Sequence, residues 1–171
     1  NEFLIFSEKN PQYSNDLEKA VGYFDNDKSV EVSMEIGKYF HSKKQFDKAI
    51  KYYEKSISDK SEESVQTNFL LLQALSENKQ FDVVVKKAVV MVETFPTQPQ
   101  FYYYAGMAYN QLKEFKKAKD LLEMGMDYVV ENKELEINFN IQLGEAYSGL
   151  GDSKKKELFF SKANQLLKEK K

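Results

Sequence analysis

The chain has 171 residues, 14% of them aromatic, with a formal net charge of -2 and a pI near 5.6. That length suits one domain or one repeat array, and so small a charge excludes a strong field drawing the chain to nucleic acid or anionic lipid. All 25 basic residues are lysine, so arginine's bidentate grip on phosphate or carboxylate is missing, and the lack of cysteine excludes disulfides and thiolate chemistry.

Phe3 to Phe6 form an apolar cluster, and Pro11 breaks any helix running from it. Asn15, with Glu18 three residues on, resembles an N-cap box, and Leu17, Ala20, Val21 and Phe24 follow at helical spacing. Asp25-Asn26-Asp27 should end that helix. Ser29 or Val30 opens the next, which carries Val32, Ile36, Gly37, Tyr39 and Phe40. Another runs from about 46 to 57, and Ser58 to Ser61 is a polar turn. Helices are then expected at 62–78, 80–95, 99–112, 115–131, 133–149 and 152–169, with Pro99 starting one of them. No strand and no low-complexity linker is expected. The longest apolar runs, such as Val89 to Val92, fall far short of the ~20 residues that cross a bilayer.

The spacing within these helices recurs. Gly37, Phe40, Ala49 and Tyr53 are echoed by Gly106, Tyr109, Ala118 and Leu122, then by Gly144, Tyr147 and Phe160. Starts at Val30, Val65, Pro99 and Ile137 give steps of 35, 34 and 38 residues. A period of about 34 residues with this pattern resembles the tetratricopeptide repeat. The resemblance covers about residues 15–170 and implies an all-α superhelix, or solenoid, of helical hairpins. It implies a single domain over 1–171, with a partial repeat at 1–29 and repeats at about 30–64, 65–98, 99–136 and 137–171. The repeat from Val65 carries Leu72 in place of the glycine and Ala88 in place of the aromatic, which we read as a volume exchange. The long step to the last repeat suggests that the helix from 115 extends through Tyr128, Val129 and Val130. Lys156 replaces a small buried residue, and with Lys154, Lys155 and Lys162 it marks the last helix as a polar cap.

Chemistry-bearing clusters are few. His41 is the single histidine and reads as a groove or surface residue. Asp25 to Ser29 lacks the glycine and closing glutamate of a calcium loop. Gly149-Leu150-Gly151-Asp152 has no preceding strand and is an interhelical turn rather than a phosphate loop. No catalytic residue, metal site or cofactor is expected, and the chain reads as non-enzymatic.

By resemblance, the first helix of each repeat lines a concave groove. The family's groove positions correspond to Met34, Phe69, Tyr103 and Ile141, then Lys38, Gln73, Met107 and Glu145, and then His41 and Asn110. Without arginine and the matching asparagines, the family's carboxylate clamp is not supported. Apolar anchors flanked by polar groups suit a peptide or protein segment instead. Two alternatives are a helical-repeat nucleic-acid binder and a small-ligand or enzymatic accessory domain. The expected partner is a protein or peptide, with neither nucleic acid nor membrane insertion, and exposed repeat ends would allow homo-oligomers. The compartment stays open between cytoplasm and periplasm, with a bacterial source favoured by composition.

Overall fold

The computed structural model describes residues 6, 9–23, 29–57 and 62–169. Among them there are helices and turns and no strand. A 3-10 turn at Pro11–Tyr13 leads into α1 (Ser14–Tyr23). Then come α2 (Val30–Ser42), α3 (Phe46–Ser56), α4 (Glu62–Glu77) and α5 (Phe81–Thr94). They are followed by α6 (Pro99–Gln111), α7 (Phe115–Met126), α8 (Lys133–Gly149) and α9 (Ser153–Glu169). The fold class is the all-α helical-repeat solenoid that the sequence pattern implies. The chain divides into two compact units, Asn1–Asn78 and Lys79–Lys171, described in turn.

In the first unit, the Ser29 hydroxyl accepts from the Val32 amide at 3.3 Å and starts α2. α2 packs on α3, and α3 on α4. Close approach of α2 and α3 needs Gly37, since a Cβ there would lie 2.6 Å from the Tyr53 ring. The apolar stripes of α2 and α3 bury Ile36, Tyr39, Phe40, Ala49, Tyr52 and Tyr53. Each such large side chain contributes on the order of 1.5–3 kcal/mol of burial. Phe40 stacks on Tyr52 with centroids 5.7 Å apart. α4 adds Leu71, Leu72, Ala74 and Leu75, and Asn78 donates to the Asp47 carboxylate at 2.8 Å.

In the second unit, α5 packs on α6, α6 on α7, α7 on α8 and α8 on α9. Pro99 occupies the first turn of α6, where its missing N–H costs nothing. Asn132 caps α8 by accepting from the Leu135 amide at 3.0 Å. The core gathers Tyr102, Ala118, Leu122, Leu135, Phe139, Leu143, Ala146 and Tyr147. Gly144 repeats the Gly37 arrangement, with a Cβ there falling 2.7 Å from the Phe160 ring. Ala88 is fully buried in this unit, as Leu72 is in the other.

The turn inside each repeat is built alike. Lys44, Lys79, Lys113 and Gly151 sit at φ 57, 58, 61 and 78, the left-handed region. The amide after the left-handed residue closes the helix: Gln45 N donates to Phe40 O, Glu114 N to Tyr109 O and Asp152 N to Tyr147 O, at 2.9–3.0 Å. This main-chain bond recurs at the ends of α2, α6 and α8, and at α2 the Ser42 hydroxyl also donates to the Tyr39 carbonyl at 2.8 Å.

Two expectations need correction. α7 stops at Met126 rather than extending to residue 131. The Tyr128 amide bonds Gly125 O and the Val129 amide bonds Met126 O, which tightens and ends the helix. Tyr128 turns back to stack on Tyr102, so the extra length of this repeat lies in the connection before Lys133. Asn15 is not a cap, because α1 already begins at Ser14 and Asn15 is an exposed residue within it. Asp25 to Asp27, Phe24, Ser58 to Ser61 and Phe3 to Ile5 lie outside the described residues. Lys156 is half-buried, while Lys154, Lys155 and Lys162 are exposed.

Candidate functional site

In the first unit, the candidate residues lie on α2 and α4. Met34 is half-buried and accepts from the Thr67 hydroxyl through its sulfur at 3.6 Å. Lys38 pairs with Glu35 at 2.7 Å, one turn back on the same helix. His41 is wedged rather than free. Its Nδ1 lies 3.1 Å from the Tyr53 hydroxyl and its Nε2 3.3 Å from Glu77 Oε2. Its ring meets Phe46 and Tyr53 edge-on. Gln73 is exposed and donates to Glu77 Oε1 at 2.9 Å. Lys38, His41, Gln73 and Glu77 thereby rim one shallow depression of about 300 Å³, with Tyr53 and Leu70 in its wall. Burial pushes the Tyr53 phenol up from its ordinary range, and the nearby Glu35 and Glu77 charges add to that. Phe69 is half-buried on α4 and lies outside this lining.

In the second unit, the candidates lie on α6 and α8, which run side by side. Phe101 and Tyr102 are buried, whereas Tyr103 and Tyr104 keep part of their surface in water, as four consecutive aromatics on one helix require. Tyr103 leans on Phe139 at 5.8 Å and meets Tyr104 edge-on at 5.4 Å. Burial raises the Tyr103 pKa. Asn110 is buried and donates to the Gln142 carbonyl at 2.8 Å and to its side-chain oxygen at 3.0 Å, tying α6 to α8. Met107 and Ile141 are half-buried and Glu145 is exposed. Tyr103 therefore does two things at once: it packs against Phe139 of the neighbouring first helix and still presents area to solvent.

A second depression, of about 340 Å³, was not foreseen from the sequence. It opens between the end of α7, α8 and α9, with Asn140, Phe159 and Leu166 in its wall and Lys162 at its edge. The available signal was the asparagine at a place where the preceding repeat has Tyr102. Among the described residues no cluster of His, Asp or Glu is arranged to hold a metal ion, and no helix is long and apolar enough to cross a membrane.

With that geometry in hand, comparison with known proteins gives a consistent answer. Residues 30–58 match the tetratricopeptide repeat family. No curated protein matches the chain by sequence. Among solved structures, one described as MamA MSR-1 C2 is similar over 99% of this chain and 95% of its own, with 20% identity and a TM-score of 0.71. Another crystal structure of MamA covers 96% of this chain and 94% of its own, with 18% identity and a TM-score of 0.75. YrrB, described as a TPR protein with an unusual peptide-binding site, covers 96% of this chain and 84% of its own, with 14% identity and a TM-score of 0.68. The fold is that of the tetratricopeptide repeat, and the stretch matched by the family model falls within the first full repeat.

Proposed function

We propose that the chain is a non-enzymatic scaffold that holds a peptide or protein segment on the first-helix faces of its repeats. Met34, Lys38, His41, Phe69 and Gln73 form the contact set of the first unit. Tyr103, Met107, Asn110, Ile141 and Glu145 form that of the second. The observation that carries this reading is the half-burial of Met34, Phe69, Tyr103 and Ile141, which recur at one place in four successive first helices. A purely structural residue there would be covered, as Tyr39, Leu71, Phe101 and Phe139 are. Partly exposed aromatic and Met side chains are the usual anchors for a bound segment. The YrrB description adds support, since that neighbour of the same fold carries a peptide-binding site.

The nucleic-acid alternative would need a basic face. Here Lys38 is matched by Glu35, and Glu77 and Glu145 are exposed on the same helices. Protein capture with the intact chain, beside a Phe69→Ser/Tyr103→Ser/Met107→Ser variant, tests the proposal. Partners retained by the intact chain and lost by a folded variant support it. Identical partner sets would overturn it.

A further inference from the structure

We infer that the depression between the end of α7, α8 and α9 binds a phenolic side chain of a peptide partner. One repeat earlier the corresponding space is filled from within the chain. Counted from Pro99 and Ile137, Tyr102 corresponds to Asn140, Gly125 to Ala163 and Tyr128 to Leu166. Tyr102 lies against Gly125, stacks on Tyr128 with centroids 5.7 Å apart, and donates from its hydroxyl to the Pro96 carbonyl at 2.9 Å. By that count the shorter Asn140 and Leu166 take the places of those two rings in the last repeat. An opening of about 340 Å³ results, within the range of ligand pockets, roughly 300–1,000 Å³.

The lining selects the occupant. Phe159, Leu166 and Met126 offer apolar surface to a ring. The Lys162 ammonium sits 5.3 Å from the Phe159 centroid, in place to lie over a second ring as well. Asn140 is only 2% exposed; its Nδ2 donates to the Glu136 carbonyl at 2.8 Å, and its Oδ1 is buried with no partner. An acceptor left unpaired in that setting is costly. A phenolic O–H at the inner end of the opening supplies the missing donor to Oδ1 while Nδ2 keeps its bond to the Glu136 carbonyl, as the Tyr102 hydroxyl satisfies a carbonyl one repeat before. A plain phenyl ring fills the space and leaves Oδ1 unsatisfied. None of the first-helix contact residues named above lines this depression, so its occupancy does not depend on segment binding there.

Titration of the isotopically labelled full chain with N-acetyl-tyrosinamide, followed by NMR, tests the assignment. Saturable shifts are expected at the Asn140 carboxamide and the Leu166 methyls. N-acetyl-phenylalaninamide should bind about fivefold more weakly, the equivalent of one neutral hydrogen bond. Asn140→Tyr should fill the space and abolish the shifts while holding or raising the unfolding midpoint. Should that variant fail to fold, Leu166→Trp fills the same space. No saturable shift up to the solubility of the amide, equal affinity for both amides, or unchanged binding by a folded filled variant would each overturn the assignment.

Discussion

A Cβ on Gly37 would fall 2.6 Å from two carbons of the Tyr53 ring, closer than packed side chains come. The ring is fully buried and held from its other end by His41, so it has little room to yield. We therefore expect Gly37→Ala to destabilise the first unit by about 1–2 kcal/mol, with overpacking outweighing the ~1 kcal/mol that alanine gains in helix propensity. Urea unfolding followed by circular dichroism measures it. Adding Tyr53→Ala, which removes every ring atom, should make Gly37→Ala nearly neutral, whereas a leucine would not, since Leu122 already crowds Gly106 in the same way. A full cost in the Tyr53→Ala background would refute the ring clash.

The left-handed lysines give a change in the opposite direction. Lys113 sits at φ 61, where a side chain crowds its own backbone. Lys113→Gly should stabilise the chain by roughly 0.5 kcal/mol, the relief of strain exceeding the added unfolded-state entropy. Gly151→Ala, at φ 78, should cost about 1 kcal/mol. Thermal unfolding midpoints of the two variants should move apart in those senses.

Alkaline pH should weaken the fold through its tyrosines. Burial raises the pKa of Tyr53, Tyr102, Tyr103 and Tyr147 above the ordinary value of 10.0, with Glu35 and Glu77 adding at Tyr53 and Glu123 at Tyr147. The native state then keeps these phenols protonated where the unfolded chain ionises them. Their contribution is complete below pH 10.0 and is lost as pH climbs from there through the raised native values. Phenolate absorbance of the native protein should rise at higher pH than in urea, with denaturation midpoints falling over the same span. Coincident titration curves would contradict the burial argument.

Asn110 joins α6 to α8 through two hydrogen bonds to Gln142. Asn110→Ala should cost about 1 kcal/mol, since both N–H donors disappear from a buried site while the unpartnered Oδ1 goes with them. Faster amide exchange around Gln142, with the first unit unchanged, should accompany the loss.

The helices were legible because each repeat states its own period, and the recurrence of Gly37 with Tyr53 and of Gly144 with Phe160 marks the positions that the family resemblance implies are packed together, as the structure has them. Misreadings arose where a contact between elements overrules local pattern. Apolar residues continue at helical spacing past Met126, and only the stacking of Tyr128 on Tyr102 shows why the chain turns there. His41 keeps its place at the rim of a depression, but its bonds to Tyr53 and Glu77 could not be read from sequence, because those partners lie on two other helices. The depression beside Asn140 is lined by side chains from three helices, and no spacing in the sequence marks where they leave a gap.

The hairpin corners use main-chain donors and acceptors, with Gln45, Glu114 and Asp152 supplying only their amides to the closing bond. Chemical identity at such corners is therefore constrained mainly at the left-handed position and at a few side chains, such as Asp152, whose Oδ1 accepts from the Lys155 amide. An architecture fastened in this way can exchange most of its residues and keep its outline. Similarity across nearly the whole chain at only 14–20% identity is the outcome such a construction predicts.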